Sequence, residues 1–408
     1  MLHIDVQVLL NVLLALGAAL VISFITTPVA RSFARKVGAV DVPKDARRVH
    51  DHPIPRLGGL AIFLGFILSV VLFADVNMQV RGILLGAIVI VVVGAIDDIM
   101  PLPAVLKLVV QIGAALIAVA FGVRIELLSN PNIWSSAEFL NLGIWSVPVT
   151  VMWIVGITNS VNLIDGLDGL AVGVSAIASM AMLVVSLVLG QINTAILLAA
   201  LVGACIGFMP YNLNPAKIFM GDTGALLLGY VMATVSITGL LKFYAIISFT
   251  VPLLALGLPI FDTLFAIIRR LLKGQNPMRP DRGHFHHRLI DMGLSQKQAV
   301  AILYSISAVL GLAAVLITTS GEMKALILVV AFCLAITIGI VIMRGLHAEK
   351  EKREQLAAEE KTAEETIQKR EEKPPVETEN SETELQDITE SVNTVSPEEH
   401  DEKTKDRE

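Results

Sequence analysis

The chain has 408 residues, 54% of them apolar and 17% charged, with a mean hydropathy of +0.72. That balance excludes an ordinary soluble protein of two or three domains. The apolar residues gather into runs of roughly 15 to 22, the length that crosses ~30 Å of hydrocarbon at 1.5 Å per residue. Charge is divided as well: residues 348–408 hold 21 acidic and 10 basic residues, net −11, against −6 for the whole chain, which leaves +5 for the remainder. A basic membrane portion suits anionic lipid and anionic substrates, and no nucleic-acid partner is expected.

The first run, Val6–Thr27, lacks a basic leader; its positive charges, Arg31, Arg35 and Lys36, follow it, so it reads as an uncleaved first span. Eleven apolar runs occur in all, near residues 6–28, 57–74, 82–96, 104–122, 144–158, 169–189, 194–209, 223–241, 243–268, 299–319 and 324–343. Cys205 and Cys333 fall inside runs and read as small buried hydrophobes. Two connections, residues 31–56 and 269–298, are strongly basic, whereas those of opposite parity carry at most one basic residue each. The positive-inside rule then places the N-terminus outside and the C-terminus in the cytoplasm. These features predict an all-α polytopic membrane protein of about 11 transmembrane helices, with a membrane domain over 1–343 and an acidic, mostly disordered cytoplasmic tail over 344–408.

By parity four polar clusters share the cytoplasmic side. Asp97 and Asp98 close the third run, where acidic groups oppose the helix dipole and repel each other unless a basic partner such as Lys107 compensates. Asn159, Asn162, Asp165 and Asp168 recur every three residues, one helical face with slow drift, and have no basic partner among them, which points to a cation or a nucleotide. Asp222 stands immediately before an apolar helix; capping alone would explain it, but beside the other clusters it becomes an oxygen ligand candidate for Mg²⁺. His284, His286 and His287, with Arg279, Arg282 and Arg288 around them, form a loop suited to phosphates rather than to zinc, for which no cysteine or HExxH pattern exists. The first basic loop, DVPKDARRVHDHPIPRLGG, serves topology or a phosphorylated lipid equally well.

Four stretches, GAIDDIMPLPAVLKLVVQ, NSVNLIDGLDGLAVG, NPAKIFMGDTGALLLG and RPDRGHFHHRLIDMG, together resemble the polyprenyl-phosphate N-acetylhexosamine-1-phosphate transferases, over residues 1–343 or so. The loop His-Phe-His-His-Arg-Leu, with no Gly-Trp after it, is similar to the TagO/WecA-type branch rather than to the peptidoglycan translocase. The resemblance implies transfer of N-acetylglucosamine 1-phosphate from UDP-GlcNAc to undecaprenyl phosphate, giving undecaprenyl-diphosphate-GlcNAc and UMP in the plasma membrane. It implies Mg²⁺, or Mn²⁺ in its place, on Asp222 and Asn162, and a catalytic group of Asp97, Asp98, Lys107 and Asp165. Asp168, Asn212 and Phe219 would hold the uracil, and His284, His286, His287 and Arg282 the sugar-phosphate end. Direct attack by the lipid phosphate, with Asp97 accepting its remaining proton, is expected ahead of a phospho-aspartate route. A homodimer, another UDP-N-acetylhexosamine as donor, and, from a different class, a membrane transporter stand as alternatives.

Overall fold

The computed structural model describes residues 5–42, 52–129, 139–239, 245–274 and 283–319, with 324, 327, 355 and 356. Twelve α-helices lie within these residues: α1 (Val6–Lys36), α2 (Gly59–Phe73), α3 (Met78–Ile99), α4 (Ala104–Ala120), α5 (Ser146–Leu163), α6 (Leu170–Val188), α7 (Ile192–Asn212), α8 (Gly221–Gly239), α9 (Ala245–Ala255), α10 (Gly257–Leu272), α11 (Phe285–Asp291) and α12 (Gln296–Thr318). Six of them, α1, α3, α5 with its leading 3₁₀ turn, α6, α7 and α12, are long and apolar enough to cross a membrane, and α2 and α4 are shorter apolar helices. Ten of the eleven runs coincide with helices. The ninth breaks at Leu256 into α9 and α10, and the eleventh, 324–343, lies almost wholly outside the described residues. The chain divides into a unit over Met1–Leu346 and a second over His347–Glu408; the disorder expected of the tail concerns residues that, Gln355 and Leu356 apart, are not described.

The first unit is organised around α8. Every residue of that helix except Asp222 and Thr238 is buried, and α2, α3, α5, α6 and α7 all pack against it. A helix apolar all round must be enclosed by protein or by lipid; here protein encloses it. α1, by contrast, turns Leu9, Leu10, Leu13, Leu14, Phe24 and Ile25 outward. α10 is inside-out by the standard of a soluble helix: Asp262, Thr263 and Arg270 are buried, while Phe261, Leu264, Phe265, Ile268, Leu271 and Leu272 are exposed. Outward apolar faces joined to inward polar ones are what a hydrocarbon solvent requires.

Two small antiparallel ladders depart from a purely helical plan. β1 (Val40–Asp41) pairs with β2 (Ile54–Pro55), and β3 (Leu127–Ser129) with β4 (Phe139–Asn141). The first ladder matters for the site. The residues after it are tied to the approach of α8: Phe219 N–H donates to Pro55 O, Gly58 N–H to Phe219 O and Gly59 N–H to Met220 O, at 2.8 to 2.9 Å. The ends of α1, α3, α5 and α7 and the starts of α2, α4, α6, α8 and α12 therefore meet at one end of the bundle.

Candidate active site

At that end lies a cavity of about 350 Å³, lined by Arg56, Asn162, Asp165, Asp168, Phe219 and Asp222 among others. Its volume falls within the ~300–1,000 Å³ usual for small-molecule sites. Asp222 is the hub. Its Oδ2 accepts from Lys107 Nζ at 2.9 Å and its Oδ1 from Asn162 Nδ2 at 3.1 Å. The same Lys107 ammonium donates to Asp97 Oδ2 at 3.1 Å, and Leu102 N–H donates to Asp97 Oδ1 at 2.7 Å. Lys107 thus bridges Asp97 and Asp222, which lie 125 positions apart in sequence, rather than relieving the adjacent pair.

Asp97 and Asp98 separate in role. The Asp98 side chain has no solvent exposure, and its oxygens are engaged by the first turn of α8: the Asp222 and Thr223 amides at 3.0 Å each and the Thr223 hydroxyl at 2.6 Å. Arg56 Nε approaches at 3.5 Å. Grouped with Asp97 as catalytic from the sequence, Asp98 instead holds the terminus that carries Asp222. Gly221 opens that terminus at φ +71°, and a Cβ there would overlap the Asp98 carboxylate, so glycine is required twice over.

The three-residue series also divides. α5 ends at Leu163, so Asn159 and Asn162 share a helix face while Asp165 and Asp168 stand on the irregular turn that follows. Asn159 belongs to packing: its Nδ2 donates to Gln111 Oε1 at 2.5 Å and to Val155 O at 2.8 Å. Asp168 accepts from Asn214 Nδ2 and Ala216 N–H through one oxygen, at 2.9 and 3.0 Å. Asn212, only 3% exposed, spends both ends of its amide within the protein, on Gly169 N–H and Ile218 O, and shapes the cavity by bracing the Asp168 turn. Asp165 faces the cavity. Burial first, then the negative charges of Asp222 and Asp98, raise its pKa to about 7, with Arg56 opposing.

The histidine segment differs most from expectation. His284 and His286 are buried, not presented on an open loop. His284 Nδ1 lies 2.8 Å from Asp262 Oδ2. His286 packs against Gly166, and burial, then the neighbouring His287, lowers its pKa to about 3. It is neutral at physiological pH and does not add positive charge for a phosphate. His287 is half-buried beside it, Arg288 lies over the Phe265 ring at 4.9 Å, and Arg282 lies outside the described residues.

Two site residues escaped the sequence reading. Arg56, counted there only as part of a basic loop, is the one Lys or Arg lining the cavity among the described residues. Asp262 was absorbed into an apolar run, although a lone acid in such a run is itself a signal. As for a metal, the described residues contain no group of three or more His, Cys, Asp or Glu arranged to hold one. The Asp222 carboxylate and Asn162 amide are oxygen donors at a polar cavity, a set that fits Mg²⁺ when water and substrate phosphates supply the other ligands.

A family model described as glycosyl transferase family 4 matches residues 80–240. The chain is 40% identical over 346 residues to a Bacillus subtilis (strain 168) protein named "Probable undecaprenyl-phosphate N-acetylglucosaminyl 1-phosphate transferase", covering 84% of this chain and 94% of that one. The chain belongs to this family. It is also 36% identical over 320 residues to the decaprenyl-phosphate N-acetylglucosaminephosphotransferase of Mycobacterium tuberculosis (strain CDC 1551 / Oshkosh), covering 72% and 78% of the two chains. With the undecaprenyl-phosphate alpha-N-acetylglucosaminyl 1-phosphate transferase of Escherichia coli (strain K12) it shares 29% over 310 residues, 75% of this chain and 84% of that one. The family match spans α3 to α8, the helices that carry Asp97, Lys107, Asn162 and Asp222.

Two predictions follow the site's geometry. Asp98→Asn places an amide NH₂ where a backbone N–H or the Thr223 hydroxyl must donate, leaving a buried donor unpaired at a cost of about 1–3 kcal/mol; the melting temperature in detergent should fall, and an unchanged one would remove Asp98 as the anchor of α8. For Asp165, the folded pKa of about 7 lies above the 3.8 of an unperturbed carboxyl. The protonated form is therefore favoured by folding, and its contribution is full below 3.8 and lost as pH rises to about 7. Asp165→Asn should flatten the decline in melting temperature across that interval relative to the wild type; parallel pH profiles would contradict the shift.

Proposed function

We propose that the protein transfers N-acetylglucosamine 1-phosphate from UDP-GlcNAc to undecaprenyl phosphate, releasing UMP, at the cytoplasmic face of the plasma membrane. The observation that carries the reading is the Asp97–Lys107–Asp222–Asn162 cluster at the mouth of a nucleotide-sized cavity, at one end of an apolar bundle. The product would begin a cell-wall polymer such as teichoic acid. Eleven spans and an outside N-terminus agree with the basic residues at the site end, Arg35 and Lys36 closing α1 and Arg269 and Arg270 closing α10.

The two substrates have separate approaches. The nucleotide enters the polar cavity, where the Phe219 ring and the Asp168–Asn214 pair suit a planar base with amide-like edges. The polyprenyl chain follows a groove of about 530 Å³ between α4 and α5, lined only by apolar residues and glycine, including Ile112, Leu116, Val151 and Val155. One residue before Ile112 on α4 is Gln111, and one turn further is Lys107. A lipid phosphate travelling that way arrives at the carboxylate–ammonium cluster.

There the phosphate oxygen attacks the β-phosphorus of UDP-GlcNAc, forming the new P–O bond as the bond to the α-phosphate oxygen breaks and UMP leaves. Asp97 accepts the acceptor's remaining proton, and Lys107 holds that carboxylate in place. Arg56, with its partly exposed guanidinium, meets the diphosphate as an anion receptor. Mg²⁺ on Asp222 and Asn162 would supply charge neutralisation of the diphosphate. Positioning and electrostatics supply most of the acceleration in such transfers.

In purified protein, Asp222→Ala should lower acceptor-dependent UMP release by about 10²-fold or more while the elution profile stays that of the folded wild type. Chelation of divalent cations should do the same to the wild type, with recovery on adding Mg²⁺. Full turnover by Asp222→Ala would refute the assignment. A panel of UDP-N-acetylhexosamines in the same assay settles the donor, and solute uptake into vesicles without UMP release would favour a transporter.

A further inference from the structure

Asp262 has no place in the scheme above, yet it is 2% exposed on a helix whose other face is apolar and outward. A buried carboxylate is costly unless its oxygens are hydrogen-bonded. Both are. Oδ1 accepts from Phe285 N–H, the first amide of α11, at 2.8 Å, and Oδ2 lies 2.8 Å from His284 Nδ1, with the two side chains 3% and 7% exposed. The residue therefore caps the histidine helix and grips a histidine ring with one carboxylate.

From there a row of contacts leads to the cavity. The His284 ring stacks on His286, centroids 5.8 Å apart and planes within 12°. The His286 ring abuts Gly166, where any Cβ would overlap it, and its Nε2 is buried without a hydrogen-bond partner. Gly166 lines the cavity next to Asp165.

We propose that Asp262 is a positioning residue for the transfer reaction: it holds His284 as the Nδ1–H tautomer and seats the histidine segment against the Asp165–Gly166 turn. This rests on the transferase reading for its activity consequence, not for its structural one. An ionised carboxylate only accepts, so the proton between the two groups belongs to Nδ1, and Nε2 is left as the unprotonated ring nitrogen. A carboxylate behind a histidine fixes the ring's tautomer and orientation; behind a metal-bound histidine, removal of such a partner typically costs 10–100-fold in activity, and a loss on that order is expected for Asp262.

The test is Asp262→Asn, which preserves shape and leaves Oδ1 to accept from Phe285 N–H, but turns an NH₂ donor toward Nδ1 and drives the ring proton to Nε2. The kcat should fall on the order of 10–100-fold, with KM for UDP-GlcNAc changed less than about threefold. In a His284→Gln background the same substitution should cost less than about twofold, because a positioning residue has nothing left to position. An equal loss with and without His284 overturns the proposal, since Asp262 would then act through general structure. Independently of turnover, ¹⁵N-histidine spectra, assigned by His284→Gln, should show His284 protonated at Nδ1 in the wild type and at Nε2 in Asp262→Asn. A wild-type His284 protonated at Nε2 alone also overturns it. Should the wild type release no UMP, the transferase reading falls while the spectra still decide the pairing.

Discussion

The site depends on one interaction, the capture of the N-terminus of α8 by Asp98. A helix begins with amides that have no partner within it, and α8 begins deep in protein, where unpaired donors are costly. Asp98 reaches from the end of α3 to take the Asp222 and Thr223 amides and the Thr223 hydroxyl together. A negative charge at that terminus is also favoured by the helix dipole. Asp222 is thereby fixed in direction by its own backbone, before its side chain meets Lys107 and Asn162. The stitching of residues 55–59 to 219–220 closes the other side of the same terminus and delivers Arg56 to the cavity.

The electrostatics then have a clear asymmetry. Asp97, Asp98, Asp165, Asp168 and Asp222 crowd one end of the bundle, and among the described residues only Lys107 and Arg56 pair with them. Each cation serves two carboxylates: Lys107 takes Asp97 and Asp222, and Arg56 lies near Asp41 and Asp98. Among the described residues the carboxylates at this end outnumber the cations. The raised pKa of Asp165 comes first from burial and then from the negative charges of Asp222 and Asp98.

What the sequence made legible follows from how local each signal is. The apolar runs specify helices because hydrocarbon-length segments have no other satisfied backbone arrangement, and ten runs coincide with helices here. The break at Leu256 was invisible, since hydropathy is blind to a turn flanked by apolar residues on both sides. Asp97, Asn162, Asp165 and Asp222 were legible as polar groups at the ends of apolar runs. Their division of labour was not: Asp97 and Asp98 are neighbours in sequence, but successive residues on a helix point about 100° apart, so one meets Lys107 and the other meets α8. Asn159 looked equivalent to Asn162, and only the position of Gln111 on α4 shows it to be packing. Histidines near arginines suggested a phosphate-receiving loop; burial of His284 and His286 depends on α10 folding over them, a contact across more than twenty positions that composition cannot report.

α10 joins these arguments. Its exposed face carries Phe261, Leu264, Phe265, Ile268, Leu271 and Leu272, so in a bilayer lipid would press it against the bundle. Its buried face carries Asp262, whose carboxylate bonds, among the described residues, to the histidine segment. The histidine segment in turn rests on Gly166, a position of the Asp165 turn that lacks a side chain. Hydrophobic matching to the membrane and the hydrogen bonding of a single buried acid therefore act along one line, from the lipid boundary to the cavity wall. In an enzyme whose acceptor arrives from the bilayer and whose donor arrives from water, such a line lets the same bundle that accommodates the lipid also set the geometry in which the nucleotide is held.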